Sequence, residues 1–344
     1  MESKYKPVLI WLFLGCATIF VMVAVGGITR LTESGLSMVD WHLLEGAKYP
    51  SSDAEWQQEF EKYAQYPEFQ EKNYNYSLEE FKDIFWWEWF HRMIGRFLGV
   101  LFIIPFVVFT IQKRVPKWMM PKLIFILCLG AFQGFLGWYM VKSGLIDVPR
   151  VSHFRLAAHL STAFFTIAYT FYVALQLMHK TSTIEISSSG GYRKAIAWLS
   201  ALVGIQILYG AFVAGLDAGH IHNYFPHMNP GEFISSNAIS FTPFIDNFIF
   251  NPSGIQLVHR TLAYAVVVSI FLVWNTYRKK PLKQHERRGF TMLLVAVGIQ
   301  FTLGVVTLIY HVPIVLGVLH QLGALVLLLS LVFLLHTSSK LSTK

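Results

Sequence analysis

Long apolar runs separated by short polar segments recur along the whole chain. A membrane-spanning helix needs roughly 20 mostly apolar residues, and eight runs reach about that length. They are 8–27, 86–110, 121–141, 153–178, 194–214, 253–276, 289–310 and 313–336. Each run is predicted to be helical, because lipid offers no hydrogen-bond partner to open backbone groups. The pattern therefore predicts an all-α polytopic membrane protein with eight transmembrane helices.

Composition and charge support this class. The 344 residues are 54% hydrophobic and 14% charged, whereas soluble domains carry roughly 25% charged residues. Lysines and arginines are concentrated in alternate connecting segments, most strongly in 278–288. Basic residues favour the cytoplasmic side, so both termini are predicted to be cytoplasmic. The net charge of +8 is thus interpreted as a topology signal, and no nucleic-acid partner is expected.

The outer side carries two large loops, 28–85 and 215–252. In the first, the spacing of Trp56, Phe60 and Tyr63 predicts a short amphipathic helix on the membrane or on the spans. The second loop contains no lysine or arginine.

A Ser/Gly segment at 187–191 is the best candidate for a linker. It divides the chain into an N-terminal half, 1–185, and a C-terminal half, 192–344, each with four spans.

The two halves resemble each other. His91-Arg92 opens the second span and His259-Arg260 opens the sixth, while His159 in the fourth span corresponds to His320 in the eighth. Two further matches are Gln133–Gly137 with Gln300–Gly304, and Val25-Gly26-Gly27 with Val213-Ala214-Gly215. Both halves keep the same in–out order, so the repeat is parallel with its axis along the membrane normal. We expect two four-helix bundles related by a pseudo-two-fold axis.

The histidines His91, His159, His259 and His320 are the strongest candidates for metal ligands. Each is the sixth to eighth residue of its span, counted from the outside, roughly 10 Å below the surface. A lone histidine there could simply bond a backbone carbonyl. Two imidazoles on facing helices in each half suit the axial positions of haem iron, whereas a bare zinc or copper site needs further ligands.

Charged groups beside these histidines suggest separate tasks. Arg92 and Arg260 could bind haem propionates or extend to lipid headgroups. Glu88 lies three residues before His91, whereas Gln256 lies three residues before His259. A carboxylate can exchange protons during a reaction and an amide cannot, which favours a reactive haem in the first half. The alternative is that Glu88 only orients a neighbouring group.

At these residues the chain resembles the heme A synthase family. The matching motifs are Gly26 to Ser37, Trp86 to Arg96, Ala214 to Gly219 and the four histidines. The resemblance implies a substrate haem O in the first half and a haem b, with its iron, in the second. It implies that the C8 methyl group of haem O is oxidised to a formyl group by successive hydroxylations, giving haem A for cytochrome c oxidase.

The resemblance also implies roles for single residues. Glu88, His91 and His159 would act on haem O, while His259 and His320 would hold haem b. Some bacterial members carry a cysteine pair in the first outer loop, and this chain has none there, which puts thiol-based electron delivery in doubt.

Two rival functions share the histidines. A dihaem electron-transfer cytochrome typically carries two histidines on one helix and stacks its haems across the bilayer, unlike this pattern. A non-enzymatic haem carrier would not need Glu88. For the enzyme, we expect delivery of haem O by haem O synthase, an unidentified electron partner and a bacterial inner membrane. A homo-oligomer is left open.

Overall fold

The computed structural model describes residues 3–40, 48–145, 149–180 and 191–338. These residues form α1 (Lys6–Leu31), α2 (Asp53–Tyr63), α3 (Pro67–Glu71), α4 (Leu78–Ile111), α5 (Met120–Lys142), α6 (His153–Lys180), α7 (Arg193–Gly215), α8 (Pro252–Tyr277), α9 (Gln284–Ile309) and α10 (Ile314–Thr337). Short 3₁₀ helices lie between α7 and α8. The predicted linker at 187–191 lies, except for Gly191, outside the described residues.

Eight of these helices, α1 and α4 to α10, are long and apolar enough to cross a membrane. The predicted all-α membrane fold with eight spans is therefore confirmed. The turn predicted around residues 311–313 is also present, since His311 and Val312 adopt positive φ angles of 60° and 55° before α10 begins. The spanning runs were located correctly, although several helix ends extend beyond them.

The largest difference in length is at α4, which begins at Leu78 rather than at residue 86. Ser77 and Glu80 form a capping box in which the backbone N–H of Glu80 donates to Ser77 and that of Ser77 donates to Glu80. This arrangement satisfies N–H groups that a helix start leaves without partners. The first two turns of α4 thus precede the predicted apolar run.

This extension supports the predicted amphipathic helix α2. Trp56 packs edge-on against Phe85 at 5.2 Å, and Tyr63 stacks on Phe81 at 5.1 Å, both between ring centroids. All four side chains are buried. The apolar face of α2 thus lies on α4, and we call residues 48–77 the outer cap of the first half.

The spanning helices have matching neighbours in the two halves. In the first half α1 packs on α4 and α6, and α5 packs on α6. In the second half α7 packs on α8 and α10, and α9 packs on α10. The halves meet through α1 with α10, α6 with α7, and α6 with α10. Exchanging the halves would reproduce this pattern, but an exact pseudo-two-fold relation stays a prediction.

One contact secures the inner part of α4. Pro105 lies inside this helix and has no N–H, so it cannot bond the carbonyl of Leu101 one turn earlier. The indole N–H of Trp11 on α1 donates to that carbonyl at 2.8 Å. A helix from the same half therefore satisfies the group that proline leaves open.

Candidate functional site

Each of the four candidate histidines lies against a glycine on the preceding spanning helix. A Cβ atom added to the glycine would contact the imidazole ring. The closest distance between the two would be 3.0 Å for Gly26 and His91, 3.5 Å for Gly137 and His159, 3.2 Å for Gly210 and His259, and 2.8 Å for Gly304 and His320. Only a residue without Cβ leaves the rings room at the three closer contacts. The four glycines form cradles that position the imidazoles.

The cradles also correct one of the repeats. The match of Val25-Gly26-Gly27 with Val213-Ala214-Gly215 is wrong by four residues, since Gly26 and Gly210 contact the corresponding histidines. The ends of α1 and α7 agree with the shifted register: Glu33 and Asp217 both adopt a φ of 53° just past the helix. Apolar residues recur so often along a span that a shift of one helical turn preserves the pattern.

The histidine pair of the second half fits an iron-centred group. The rings of His259 and His320 lie 6.5 Å apart between centroids and are inclined by 85°. Metal–imidazole bonds of about 2 Å place two axial imidazoles at roughly this separation. Both rings line a cavity of about 280 Å³ between α7, α8, α9 and α10. Buried Nδ1 of His259 has no hydrogen-bond partner within the described chain.

In the first half, His91 on α4 and His159 on α6 lie close enough to interact electrostatically. His159 resembles His259 in that its Nδ1 is buried without a partner among the described residues. His91 is the fourteenth residue of α4 because that helix begins at Leu78, so its place was misjudged from the span boundary. The predicted pairs are both brought together, while their ligand function stays a prediction.

Glutamines mark three of the four cradles. Gln133 and Gln206 each donate from the amide nitrogen to a backbone carbonyl, of His159 and His259 respectively, at 3.1 Å. The amide nitrogen of Gln300 lies 3.1 Å from Nδ1 of His320. Each glutamine is four residues before the cradle glycine, a Gln-x-x-x-Gly motif. The repeat predicted from sequence contains two copies and lacks the one at Gln206, because its register was shifted there.

Glu88 is buried, with 2% of its surface exposed, and both carboxylate oxygens have partners. Oε2 accepts from the Ser37 hydroxyl at 2.7 Å and from the Met38 N–H at 2.8 Å. Oε1 accepts from Arg92 at 2.6 Å. Arg92 also donates to the carbonyls of Met38 and Asp40. The structure therefore joins Glu88 and Arg92 to the outer segment that follows α1.

The corresponding residues of the second half also bind an outer segment, but without a carboxylate. Gln256 donates to the carbonyl of Ala218 at 2.7 Å. Arg260 donates to the carbonyls of His222, Tyr224 and His227. Its Nε is buried without a partner in the described ranges, and its side chain lines the cavity, which suits an acidic group bound there.

Comparisons with known proteins identify the family of this chain. A family model described as cytochrome oxidase assembly protein, COX15-CtaA, matches residues 9–332. The chain belongs to this family. Proteins named heme A synthase are among its relatives. The one from Flavobacterium johnsoniae is 48% identical over 99% of this chain and 100% of its own length. That from Nitrosospira multiformis is 45% identical over 96% and 93%.

An ion pair between the halves, Arg30 with Asp217, was not predicted from the sequence. The two residues lie in the motifs Gly26 to Ser37 and Ala214 to Gly219, on which the resemblance to the family was based. Arg30, at the end of α1, donates to Asp217 at 2.6 Å and to the carbonyl of Ala214 at 2.7 Å. Arg30 and Asp217 line the second-half cavity. The first half thus contributes a charged residue to the site of the second.

The loop histidines divide into separate roles. His222 bonds Asn229 at 2.8 Å and Ser253 at 2.9 Å, so it fastens the outer loop to α8. His227 packs edge-on against Phe233. His220 lines the second-half cavity. The sequence left all three undecided, and the structure places only His220 beside the candidate site.

Proposed function

We propose that the protein is a heme A synthase, an oxidoreductase that converts haem O to haem A by oxidising the C8 methyl group to a formyl group through successive hydroxylations. The observation that carries the proposal is the match to heme A synthases along almost the whole chain. The paired histidines in glycine cradles support it, since a haem enzyme needs fixed imidazoles.

We assign the two halves different haems. Haem b would be held in the second half by His259 and His320, whose facing rings and shared cavity support this assignment. Haem O would bind in the first half, between His91 and His159. There Glu88 is the titratable group that the second half replaces with an amide.

Exposed glycines on α4 and α5 support the first half as the substrate side. A Cβ on Gly99, Gly130 or Gly134 would meet no described atom within 4 Å outside the helix itself. In the second half a ring occupies the position that corresponds to Gly134. Phe301 packs on Tyr264 at 5.7 Å between ring centroids, and Phe225 contacts both rings. Haem O carries an apolar farnesyl tail, and a helix surface without side chains at these positions suits its passage.

The chain's residues have separate tasks in this scheme. Haem b supplies one-electron chemistry when bound. His91 and His159 orient the substrate so that one methyl group lies at the site of oxidation. Glu88 accepts or returns a proton as electrons leave that methyl group. Arg92 and Arg260 bind propionates, for which each would exchange bonds that it now makes to loop carbonyls.

The partners and location follow from the substrate. An apolar haem that stays in the membrane suits direct delivery from haem O synthase, and the electron partner is unidentified. The apolar helices make the protein a multi-pass integral membrane protein. We propose a bacterial inner membrane with both termini in the cytoplasm, on the charge asymmetry of the connecting segments.

The test is mass spectrometry of haem extracted from purified protein, produced in cells that make haem O. We expect haem b together with haem O, a hydroxylated product or haem A. Haem b alone would favour a dihaem electron-transfer cytochrome and overturn the proposal. Bound haem O that is never converted, with its electron supply restored, would indicate a carrier instead.

A further inference from the structure

Gln300 differs from the other cradle glutamines because its amide lies beside Nδ1 of the cradled histidine, whereas the amide nitrogen of Gln206 lies 3.4 Å from Nε2 of His259. The amide nitrogen lies 3.1 Å from Nδ1 of His320. The amide oxygen is buried and has no hydrogen-bond partner within the described residues. It lies against Gly323, where any Cβ would collide with it. A buried carbonyl oxygen without a partner is unfavourable by about 1–3 kcal/mol.

The orientation of this amide conflicts with metal binding by His320. An imidazole bound to a metal through Nε2 carries its proton on Nδ1 and donates it to a neighbouring acceptor. In the present orientation that N–H would face the amide nitrogen, which is also a donor. Turning the amide over exchanges its nitrogen and oxygen with little movement of other atoms. The oxygen then accepts from Nδ1, and the conflict between two donors disappears.

We propose that Gln300 is a positioning residue for the second-half haem, whose amide oxygen accepts the Nδ1–H of His320. This inference rests on the proposed haem at His259 and His320. The contact fixes the tautomer that presents Nε2 to iron, and it fixes the orientation of the ring. It also makes the imidazole a more electron-rich ligand, which favours ferric over ferrous iron.

The other two cradles with a glutamine lack an amide beside Nδ1. Gln133 and Gln206 donate their amide nitrogens to the backbone carbonyls of His159 and His259, and Nδ1 of each of those histidines is unpartnered in the described chain. Of the three histidines with a cradle glutamine, His320 is therefore the one whose Nδ1 lies beside the amide. Gln133 is the counterpart of Gln300 in the repeat and serves as the matched control.

The experiment is a redox titration of the haem in full-length purified protein, with electron paramagnetic resonance of the ferric form. In Gln300→Leu we expect the preference for ferric over ferrous iron to fall about tenfold, a rise of roughly 59 mV for one electron. Gln300→Glu supplies a stronger acceptor and should shift the potential in the opposite direction. Gln133→Leu should leave the potential of this haem unchanged.

An unchanged potential and unchanged resonance in both Gln300 variants, with normal haem content, would overturn the proposal. If the leucine variant does not fold, the sign of the shift in Gln300→Glu decides. His320→Ala separates this inference from the proposed function. Loss of the titrated haem in that variant places it at His320, whether or not haem O is converted. Retention of that haem would refute the site itself.

Discussion

The two halves hold their histidines alike and differ in what surrounds them. Both place an imidazole against a glycine and join the following arginine to an outer segment. Around the first histidine, however, Glu88 and Met22 stand where the second half has Gln256 and Gln206. The common features fix a ring in place. The differing ones give the first half a titratable group and remove an amide donor.

Corresponding positions on α5 and α9 show the same contrast. Gly134 stands in the first half where the second half has Phe301, which packs with Tyr264 and Phe225. Under the proposed function, this contrast suits one half to a molecule that arrives and leaves, and the other to a group that stays. In the proposed function, these differences separate the half that reacts from the half that holds a resident haem.

The largest expected effect breaks the contrast at Glu88. Glu88→Gln should lower conversion of haem O by about 100-fold or more, the range of general acid–base catalysis. Its measure is haem A formed per molecule of haem b, by chromatography of extracted haem. Haem b content should stay normal, because its proposed ligands His259 and His320 lie in the other half.

A structural role of Glu88 must be separated from a chemical one, because its carboxylate also pairs with Arg92. Ser37→Ala is the matched control: it removes a bond to Oε2 but keeps the carboxylate and the ion pair. We expect this variant to retain most of the activity. Equal losses in both variants would mean that the loop contact, rather than the proton, is what matters.

Haem retention after a glycine-to-alanine change should depend on the distance between the added Cβ and the imidazole. Gly304→Ala puts a methyl group 2.8 Å from His320, whereas Gly137→Ala leaves 3.5 Å to His159. Overpacking costs about 1–3 kcal/mol, so the first variant should lose much of its haem b, as measured by haem absorbance per protein. The second should keep its haem. Equal retention would show that the rings adjust freely.

The sequence predicted the eight helices and the four histidines, because spans and their ionisable residues leave strong local signals. It could not predict the partners of Glu88, since Ser37 and Met38 approach it through the path of an outer loop. The register at Gly210 was missed for a different reason. Apolar helices tolerate a shift of one turn, and only the contact with His259 decides it.

A large side chain at position 134 tests the path by which the substrate enters. Gly134→Phe introduces the ring that the second half carries at Phe301, and it should raise the KM for haem O severalfold with a smaller change in kcat. Reconstituted enzyme with haem O in nanodiscs is the suitable assay. Gly134→Ala, which leaves most of the space, should behave like the parent protein. An unaffected phenylalanine variant would mean that haem O arrives elsewhere.

The last prediction distinguishes the two outer segments by how their stability responds to pH. Glu68 in the cap of the first half is buried, with 3% of its surface exposed. Burial raises its pKa from 4.5 to about 8, although the Tyr63 hydroxyl that donates to it at 3.1 Å opposes the rise. The residues 216–251 that cover the second half are held instead by amides such as Asn247 and Asn251.

Between pH 4.5 and about 8 the folded cap therefore binds more protons than the unfolded segment. Its stability should fall as pH rises through that window and level off above it. Hydrogen exchange of residues 53–77, corrected for intrinsic rates, should show opening increase with pH. Glu68→Gln cannot ionise, so it should remove that slope, while the exchange of residues 216–251 should be the same in both proteins. A slope that persists in the glutamine variant would assign the pH dependence to another group.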